Sequence, residues 1–254
     1  MVDASWADFQ LDPRKRIASV YLLPDCNMAC RFCASELDFA VMSWTQAEDL
    51  LRFLRERGIQ NVVLGGGEPF LWPHDLLELA ARAQELGFLV QVCTNATQLP
   101  EGFADLACID RYVLPLEALD PTIHDRLRLL PGGHHAKVLA TMERLIAAKR
   151  SFTLSTVLTR TNLDQLSAMA AFLRDLRAAG ARIHAWHLYR FLPVGRAGRP
   201  NGDQLDTTFE AFLKASKAIQ ALGLGFPVYR RSDMLKASTV AYFWADETGL
   251  RSSD

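Results

Sequence analysis

The sequence predicts an α/β fold in which parallel strands alternate with helices. Two observations support this prediction: short apolar and β-branched segments recur along the chain, and the segments between them carry apolar residues at i, i+3, i+4 and i+7. Such alternation is typical of parallel strands joined by crossover helices. With 254 residues, 50% of them hydrophobic, the chain is long enough to bury a substantial core, and we expect one domain over residues 1–254.

Six strands are expected, each followed by a helical segment. Residues 17–196 are predicted to form the core, and residues 204–254 a C-terminal helix and tail. Six units in strict alternation favour a partial, open (β/α)6 barrel, in which functional loops gather at the carboxyl ends of the strands. The predicted strands are Ile17–Leu23, Asn61–Leu64, Phe88–Cys93, Tyr112–Leu116, Phe152–Leu158 and Ile183–Phe191.

Local signals bound the predicted helices. Thr45, followed by Glu48 three residues later, predicts a capping box at the start of the first helix. Gly87 and Gly180 are expected to end two later helices, since glycine readily adopts the left-handed conformation found there. A last helix is expected over Thr207–Leu222.

Composition excludes several classes of function. The formal net charge of −1 does not favour a polyanionic partner such as nucleic acid. No apolar run approaches the roughly 20 residues that span a bilayer, and the polar N-terminal residues do not resemble a signal peptide. We therefore expect a cytoplasmic protein with reduced thiols and without nucleic-acid or membrane partners.

The first predicted strand is followed by three of the five cysteines, Cys26, Cys30 and Cys33, within eight residues. Thiolates select zinc, copper(I) or iron–sulfur clusters. A closed zinc site needs a fourth ligand, and the nearest histidine, His74, lies outside the loop. Three ligands to a four-iron cluster leave one iron open. We therefore predict a cluster site here, with cysteines packed in a core or a structural zinc site as the alternatives.

The second predicted strand ends in the run Gly65-Gly66-Gly67-Glu68-Pro69. Glycines let a backbone approach a ligand without a Cβ in the way. The Glu68 carboxylate is suited to accept a hydrogen bond from a cationic amine. A tight strand-to-helix turn is the competing interpretation.

The spacing Cys-x3-Cys-x-aromatic-Cys, followed by Gly-Gly-Glu-Pro, resembles the signature of the radical S-adenosylmethionine (SAM) enzymes. The resemblance implies a partial (β/α)6 radical SAM barrel and a [4Fe–4S] cluster on the three cysteines. It also implies SAM bound to the open iron and cleaved reductively to a 5′-deoxyadenosyl radical that abstracts hydrogen from a substrate. The electron donor would be a protein such as flavodoxin or ferredoxin, and the sequence singles out no catalytic acid or base.

The resemblance assigns SAM contacts along the predicted barrel mouth. Thr94 and Asn95 stand where the family shows Thr-Asn-Gly, so Asn95 is expected to meet the ribose or brace the cysteine loop, with an Asx turn as the alternative. Glu117 is a predicted ribose ligand, with a surface salt bridge as the alternative. The remaining contacts implied by the resemblance are Gly66, Gly67, Glu68 and Pro69 for the SAM amino group, and Phe32 and Leu192 for adenine.

The fifth and sixth strands supply further candidates. Ser155, Thr156 and Arg160 are predicted to point toward one face of the barrel mouth. The resemblance implies that they hold the ribose and the methionine carboxylate, with a solvated Arg160 as the alternative. Candidate substrate contacts follow on the sixth strand, at least one of them facing outward by alternation: His187, Tyr189 and Arg190. The segment Pro193–Asp203, rich in Gly, Arg and Pro, is expected to be the most mobile loop.

Other polar and sulfur side chains are expected to be structural. His124, Asp125 and Arg128 predict capping and ion pairing, and the pair His134-His135 predicts exposed rather than ligating side chains. The two remaining cysteines, Cys93 and Cys108, are predicted to be small core residues.

The cysteine count bears on the substrate. No cysteine follows Cys108, so a second four-cysteine cluster is not expected, and a small-molecule substrate is favoured over a peptide. Residues 229–243 resemble the C-terminal extension of viperin-like nucleotide dehydratases, which implies phosphate contacts by Arg230, Arg231 and Lys236, with covering a barrel edge as the simpler role. A non-catalytic cluster or SAM-binding protein is the alternative from another class.

Overall fold

The structure is a computed structural model that describes residues 11–36, 39–130, 133–233 and 237–253. In these ranges nine strands form one sheet. The strands are β1 (Ile17–Tyr21), β2 (Asn61–Gly65), β3 (Leu89–Cys93), β4 (Arg111–Pro115), β5 (Ser151–Leu158), β6 (Arg182–Arg190), β7 (Val228–Arg231), β8 (Val240–Asp246) and β9 (Gly249–Ser252).

The six predicted strands are confirmed as β1 to β6, with ends within two residues of the expected ones. They lie side by side in chain order and pair in parallel, beginning with Ile17 of β1 opposite Asn61 of β2. Because all six run the same way, their carboxyl ends meet at one edge of the sheet. The loops that follow those ends are therefore neighbours.

The tail covers both edges of this six-stranded unit. Strand β7 pairs in parallel with β6, and β8 pairs in parallel with β1, with Tyr242 opposite Ser19. Strand β9 then folds back antiparallel onto β8. The predicted edge-covering role is confirmed, and it satisfies backbone groups that an edge strand leaves unpaired. The three added strands themselves were not predicted.

Helices follow the strands. Among the described residues they are α1 (Trp44–Glu56), α2 (Leu76–Glu85), α3 (Pro121–Arg128), α4 (His134–Ala147), α5 (Leu166–Ala178), the single turns α6 (Gly195–Gly198) and α7 (Gly202–Leu205), and α8 (Phe209–Ala221). No helix in these ranges is both long and apolar enough to cross a bilayer.

The start of α1 corrects one prediction. The capping box is formed by Ser43 and Gln46, not by Thr45 and Glu48: the Ser43 Oγ accepts from the Gln46 N–H at 3.2 Å, and the Gln46 side chain accepts from the Ser43 N–H at 2.9 Å. Ser43 takes this role because its backbone is extended, whereas Thr45 already lies in the first turn. The predicted stop at Gly87 is confirmed, with φ +86° there.

The core lies between one face of the sheet and the helices. Leu50 and Leu54 of α1, Leu79 of α2 and Leu173 of α5 are all 0% exposed, as is the sheet residue Val62. These contacts use the outward side chains of β1 to β6. The opposite face of the sheet lines the interior of the open barrel, where many side chains are only partly buried. Inward residues near the carboxyl ends therefore border an accessible space.

Candidate active site

The predicted cluster cysteines lie in the loop between β1 and α1. Cys30 is 9% exposed, while Cys26 and Cys33 are partly exposed, and all three thiols are free. They pack with Met28 and Phe32 in one apolar cluster. Burial raises the pKa of the Cys30 thiol; the Arg128 guanidinium opposes this shift, and the charges of Cys33 and Cys26 add to it. The three cysteines therefore share a single apolar environment.

This donor set fits an iron–sulfur cluster better than a hard cation, because it consists of soft sulfur ligands held in apolar surroundings. Within the part of the chain that the structure describes, no three His, Cys, Asp or Glu side chains are gathered to hold a single metal ion. Two other segments of the chain pack on the cysteine loop and hold it in place.

The glycine run that follows β2 packs directly on the cysteine loop. The Gly67 N–H donates to the Leu23 carbonyl at 2.7 Å, and the Glu68 N–H donates to the Asp25 carbonyl at 2.9 Å. A Cβ added at Gly67 would overlap the Asp25 backbone. Glycine is therefore required at position 67 for the two loops to lie this close.

The other side of the cysteine loop is held by the segment Pro193–Asp203. The N–H groups of Ala197 and Gly198 donate to the Cys33 carbonyl at 3.2 and 3.0 Å. A Cβ added at Gly195 would overlap the backbone of Ala34. This segment, expected to be the most mobile loop, contains α6 and the start of α7 and packs backbone to backbone on the loop that carries the thiols. Its mobility stays a prediction.

Glu68 is a fully buried carboxylate at the carboxyl end of β2, with 0% exposure. Its Oε1 accepts from the Thr94 hydroxyl at 2.7 Å and from the Phe70 N–H at 3.3 Å, and its Oε2 accepts from the Asn95 N–H at 2.7 Å. Burial raises the pKa of Glu68, and these donors oppose the shift. The carboxylate is thus oriented by groups from the end of β3.

Asn95 connects this carboxylate to the cysteine loop. Its side-chain Nδ2 lies 3.6 Å from the Cys26 Sγ and donates to the Asn27 Oδ1 at 2.8 Å. Its Oδ1 accepts from the Thr97 N–H at 2.9 Å, which is the Asx turn that was the competing interpretation. Ala96 holds φ +65°, so this turn is left-handed without a glycine. The two roles foreseen for Asn95, turn and brace, therefore coexist.

Glu117 is fully buried after β4, with 0% exposure of its side chain, and forms an ion pair with Arg128 of α3. The Arg128 Nε donates to the Glu117 Oε1 at 3.0 Å, and the Val157 N–H donates to the Oε2 at 2.8 Å. A surface salt bridge is thus the wrong description, and the ion pairing predicted for Arg128 is confirmed. Ribose binding by Glu117 stays a prediction, and it requires this buried pair to open.

Two histidines form a buried connection between the ends of β4 and β3. The Glu117 N–H donates to the His124 Nδ1 at 3.1 Å, the His124 Nε2 lies 2.8 Å from the His134 Nδ1, and the His134 Nε2 lies 2.7 Å from the Asn95 carbonyl. The prediction that His134 and His135 are exposed is wrong, since they are 0% and 8% exposed. The predicted capping by Asp125 is confirmed: its Oδ1 accepts from both of their N–H groups, which turns their side chains inward.

The candidates after β5 do not share one face. Thr156 is 0% exposed in the core, where its hydroxyl donates to the Leu116 carbonyl at 2.6 Å and accepts from the Trp186 Nε1 at 2.8 Å. Strand alternation places the partly exposed Ser155 on the opposite, interior face, which corrects the expectation of a shared direction. Arg160 is exposed, Leu192 is partly exposed, and both positions stay predictions as SAM contacts.

The barrel interior holds a group of aromatic side chains that sequence reasoning largely missed. Tyr21 of β1 stacks on Tyr242 of β8 at 6.1 Å between ring centroids, and the rings of His187 and Tyr189 of β6 lie 6.0 Å apart. Burial raises the pKa of the Tyr21 and Tyr189 phenols, and Tyr242 raises both further. We call this space the interior chamber, lined by Tyr21, Cys93, His187, Tyr189, Tyr229, Arg231 and Tyr242.

Cys93 opens into the interior chamber rather than into the core. Its side chain is exposed, and desolvation by the surrounding protein raises the pKa of its thiol to about 11. The prediction of a core residue is wrong because Val92, not Cys93, is the position of β3 that faces the helices. Cys108 is partly exposed but packs against the main hydrophobic core, as predicted. Alternation along the strands was the signal that could have identified the chamber.

Arg190 faces outward from the barrel. This confirms the prediction that at least one of the three candidates on β6 does so. The Arg190 guanidinium lies 4.0 Å from the Asp206 carboxylate and 5.5 Å from the ring centroid of Phe209, on the helix side of the sheet. His187 and Tyr189 remain inside. In the tail, Lys236 lies outside the described residues, so its predicted phosphate contact has no structural counterpart here.

Comparison with known protein families finds one match over most of this chain. A family model described as the Radical SAM superfamily matches residues 20–173. An AdoMet-dependent heme synthase from Methanosarcina barkeri is 27% identical, with coverage of 75% of this chain and 53% of that protein. A PqqA peptide cyclase from Ruegeria pomeroyi is 29% identical, with coverage of 63% and 46%. The chain thus spans about half the length of these curated relatives.

Solved structures share the fold. Streptococcus suis SuiB bound to the precursor peptide SuiA superposes with a TM-score of 0.71 at 16% identity, covering 87% of this chain and 49% of that one. The enzyme anSMEcpe with bound AdoMet has a TM-score of 0.61 at 16% identity, covering 85% and 63%. At such identities the likeness establishes a common α/β architecture.

Proposed function

This chain belongs to the radical SAM superfamily, and from that premise we propose that it cleaves SAM reductively at a [4Fe–4S] cluster bound by Cys26, Cys30 and Cys33. The observation that carries the proposal is the position of Asn95. Its backbone N–H donates to Glu68 at 2.7 Å while its side chain lies 3.6 Å from the Cys26 Sγ. One residue therefore links the carboxylate proposed to bind the SAM amine to a proposed cluster ligand.

The protein residues have distinct tasks in this proposal. The three thiolates hold the cluster and leave one iron open for the amino and carboxylate groups of SAM. Glu68, oriented by Thr94 and Asn95, receives the amine, and the backbone at Gly66 and Gly67 lets SAM approach. When bound, cluster and SAM supply a 5′-deoxyadenosyl radical that abstracts hydrogen from the substrate.

Further SAM contacts complete the proposed site. Phe32 packs among the cysteines in the apolar cluster, and we assign its backbone to adenine. Pro69 fixes the turn after Glu68 as the first residue of a short 3-10 helix. The methionine carboxylate, the ribose and the rest of the adenine are assigned to a set of residues around the mouth: Ser155, Arg160, Glu117 and Leu192.

We place the substrate in the interior chamber. Its tyrosine side chains, with the pKa of their phenols raised by burial, are neutral hydrogen-bond donors with large apolar faces. Two kinds of substrate fit such a lining, a small molecule or a side chain of a peptide. The second is favoured by relatives whose names specify peptides, PqqA peptide cyclase and SuiB bound to precursor peptide SuiA. A nucleotide has less support, because neither of these relatives' names specifies one.

The cellular setting follows from the chemistry. A cluster held by three thiolates persists in a reducing compartment, which supports a cytoplasmic location. The electron for SAM cleavage would come from a one-electron carrier such as flavodoxin or ferredoxin. A non-catalytic SAM-binding protein is the second candidate, and the names of the relatives, a synthase and a cyclase, speak against it.

The proposal is tested by anaerobic reconstitution followed by iron and sulfide analysis and EPR spectroscopy of the reduced protein. We expect about four iron and four sulfide per chain, and a change in the EPR spectrum on addition of SAM, because SAM coordinates the open iron. The variant Cys33→Ala should lose the cluster, and the matched control Cys108→Ala should keep it. Zinc without sulfide, or a spectrum that SAM does not change, would contradict the proposal.

A further inference from the structure

Arg128 contacts the cysteine loop but is not itself among the proposed SAM contacts. It lies at the end of α3, after β4, and its side chain is only 12% exposed. Its Nη1 lies 3.6 Å from the Cys30 Sγ, while its Nε and Nη2 donate to the Glu117 Oε1. One guanidinium therefore contacts a thiol of the cysteine loop and a buried carboxylate at the same time.

The surroundings fix this guanidinium in place. Its Cζ lies 4.9 Å from the ring centroid of Phe32, within the range of a cation–π contact. The Arg31 N–H donates to the carbonyl of Leu127, the residue before Arg128, at 2.9 Å. The end of α3 is thus fastened to the cysteine loop by backbone, ring and guanidinium contacts together. A planar five-donor group suits this double contact better than an ammonium.

The Glu117–Arg128 pair is ionised. Arginine stays protonated in folded proteins, and the Nε and Nη2 of Arg128 both donate to the Glu117 carboxylate. The Glu117 oxygens accept from Arg128 and from the Val157 N–H, and a neutral carboxylic acid would use these donors less well. A positive charge therefore faces the Cys30 sulfur, and its negative partner lies on the far side of the guanidinium.

We propose that Arg128 is a positioning residue that raises the reduction potential of the cluster, and that Glu117 sets the size of this effect. The inference rests on the proposed function, in that it requires a cluster on Cys26, Cys30 and Cys33. When an external one-electron donor reduces the cluster, the cluster gains one negative charge. A guanidinium that donates a hydrogen bond to a ligand sulfur stabilises that charge, because hydrogen bonds to sulfur and local charge set cluster potentials.

Changing either member of the Glu117–Arg128 pair should shift the midpoint potential of the cluster, in opposite directions. Arg128→Met removes the positive charge and should lower the midpoint potential. Glu117→Gln leaves Arg128 charged but removes its counter-charge, and should raise the midpoint potential. A residue that only supports the fold would not shift the potential in opposite directions when either member of one pair is changed.

The experiment is an EPR-monitored redox titration of the reconstituted protein without SAM, so that its readout does not depend on SAM cleavage. For Arg128→Met we expect at least a tenfold lower ratio of reduced to oxidised cluster at a fixed potential, a shift of about 59 mV for a one-electron couple. Arg126→Met is the matched control, since Arg126 lies exposed on the same helix. It should leave the midpoint unchanged.

Two further variants keep the test decisive. Arg128→Met leaves Glu117 buried without a partner, which destabilises proteins. The double variant Glu117→Gln/Arg128→Met removes both charges and should still titrate below wild type, because the hydrogen bond to sulfur is gone. Arg128→Lys keeps the positive charge but loses the planar guanidinium with its several N–H donors. Its midpoint potential should lie between those of wild type and Arg128→Met.

The outcomes separate this inference from the proposed function. If wild type takes up no cluster, the proposed function fails. If wild type carries a cluster, and the double variant titrates at the same midpoint as wild type and Arg126→Met, the role of Arg128 is refuted while the proposed function stands. Shifts of one sign for both Glu117→Gln and Arg128→Met also overturn it.

Discussion

The Nε2 of His124 lies 2.8 Å from the Nδ1 of His134 in a fully buried contact. The backbone N–H of Glu117 donates to the other nitrogen of His124, which makes that nitrogen an acceptor and leaves the proton on Nε2. His124 therefore donates to His134, and His134 donates in turn to the Asn95 carbonyl at 2.7 Å. Two neutral imidazoles thus hold the ends of β3 and β4 at a fixed separation beside the cysteine loop.

Because of this histidine pair, the free energy of unfolding is predicted to fall as the pH is lowered. Burial lowers the pKa of His124 to about 2 and that of His134 to about 4. In the unfolded chain both have a pKa of about 6.5. Below pH 6.5 the unfolded state takes up protons that the folded state does not, so the pair's contribution is present above pH 6.5 and lost progressively as the pH falls toward these folded-state values.

The measurement is urea unfolding of the cluster-free protein at pH 7.5 and pH 5. We expect a loss of roughly 2 kcal/mol per histidine between the two values, from about 1.4 kcal/mol for each unit of pKa difference. His134→Gln should remove about half of this dependence, and His74→Gln, at an exposed site, should not. Equal pH dependence in wild type and His134→Gln would contradict the neutral pair.

The sequence predicted the elements of the site better than their connections. The cysteine spacing and the Gly-Gly-Glu-Pro run are local patterns, and β1 to β6 follow from periodicity, so each was within reach. The contact of His134 with Asn95 was not, because it depends on Asp125, whose carboxylate accepts from the His134 N–H and caps the start of α4. Tyr242 stacks on Tyr21 only because β8 pairs with β1. These strands lie at opposite ends of the sequence, so no local pattern indicates their pairing.

Glu68→Gln is predicted to weaken SAM binding without loss of the cluster. The substitution keeps the shape of the side chain but removes the negative charge that faces the proposed amine. Hydrogen bonds to charged groups contribute about 1.5–3 kcal/mol, which corresponds to roughly a tenfold to hundredfold lower affinity. Isothermal titration of SAM into the reconstituted variant measures this, with the exposed Glu101→Gln as the matched control. Unchanged affinity would remove Glu68 from the SAM site.

Gly67→Ala is predicted to separate the glycine run from the cysteine loop. The added Cβ would overlap the Asp25 backbone, and backbone atoms cannot move aside as a flexible side chain does. We expect about 3 kcal/mol of destabilisation or more, as in overpacked cores, together with reduced iron content. Gly58→Ala is the control, since Gly58 has φ +79° but open space around it, and should cost about 1 kcal/mol of backbone strain. Normal stability and iron content in Gly67→Ala would contradict the close packing.

Alkylation of the Cys93 thiol is predicted to report on access to the interior chamber. The thiol is exposed, and desolvation by the surrounding protein raises its pKa to about 11, so little thiolate is present at neutral pH. Alkylation of the cluster-loaded protein by iodoacetamide should therefore be slow at pH 7 and quicken about tenfold per pH unit up to pH 9, since the thiolate is the reactive form. Peptide mass spectrometry locates the label. A rate independent of pH would show that the thiol is not held protonated, and a true substrate should protect it.

The most direct test of the account is the formation of 5′-deoxyadenosine by anaerobically reconstituted protein with SAM and dithionite. The account predicts 5′-deoxyadenosine and methionine in equal amounts from wild type and from Cys108→Ala, and none from Cys30→Ala. Equal product from Cys30→Ala, or no product from wild-type protein that carries its cluster and binds SAM, would contradict the central claim that these three cysteines support radical cleavage of SAM.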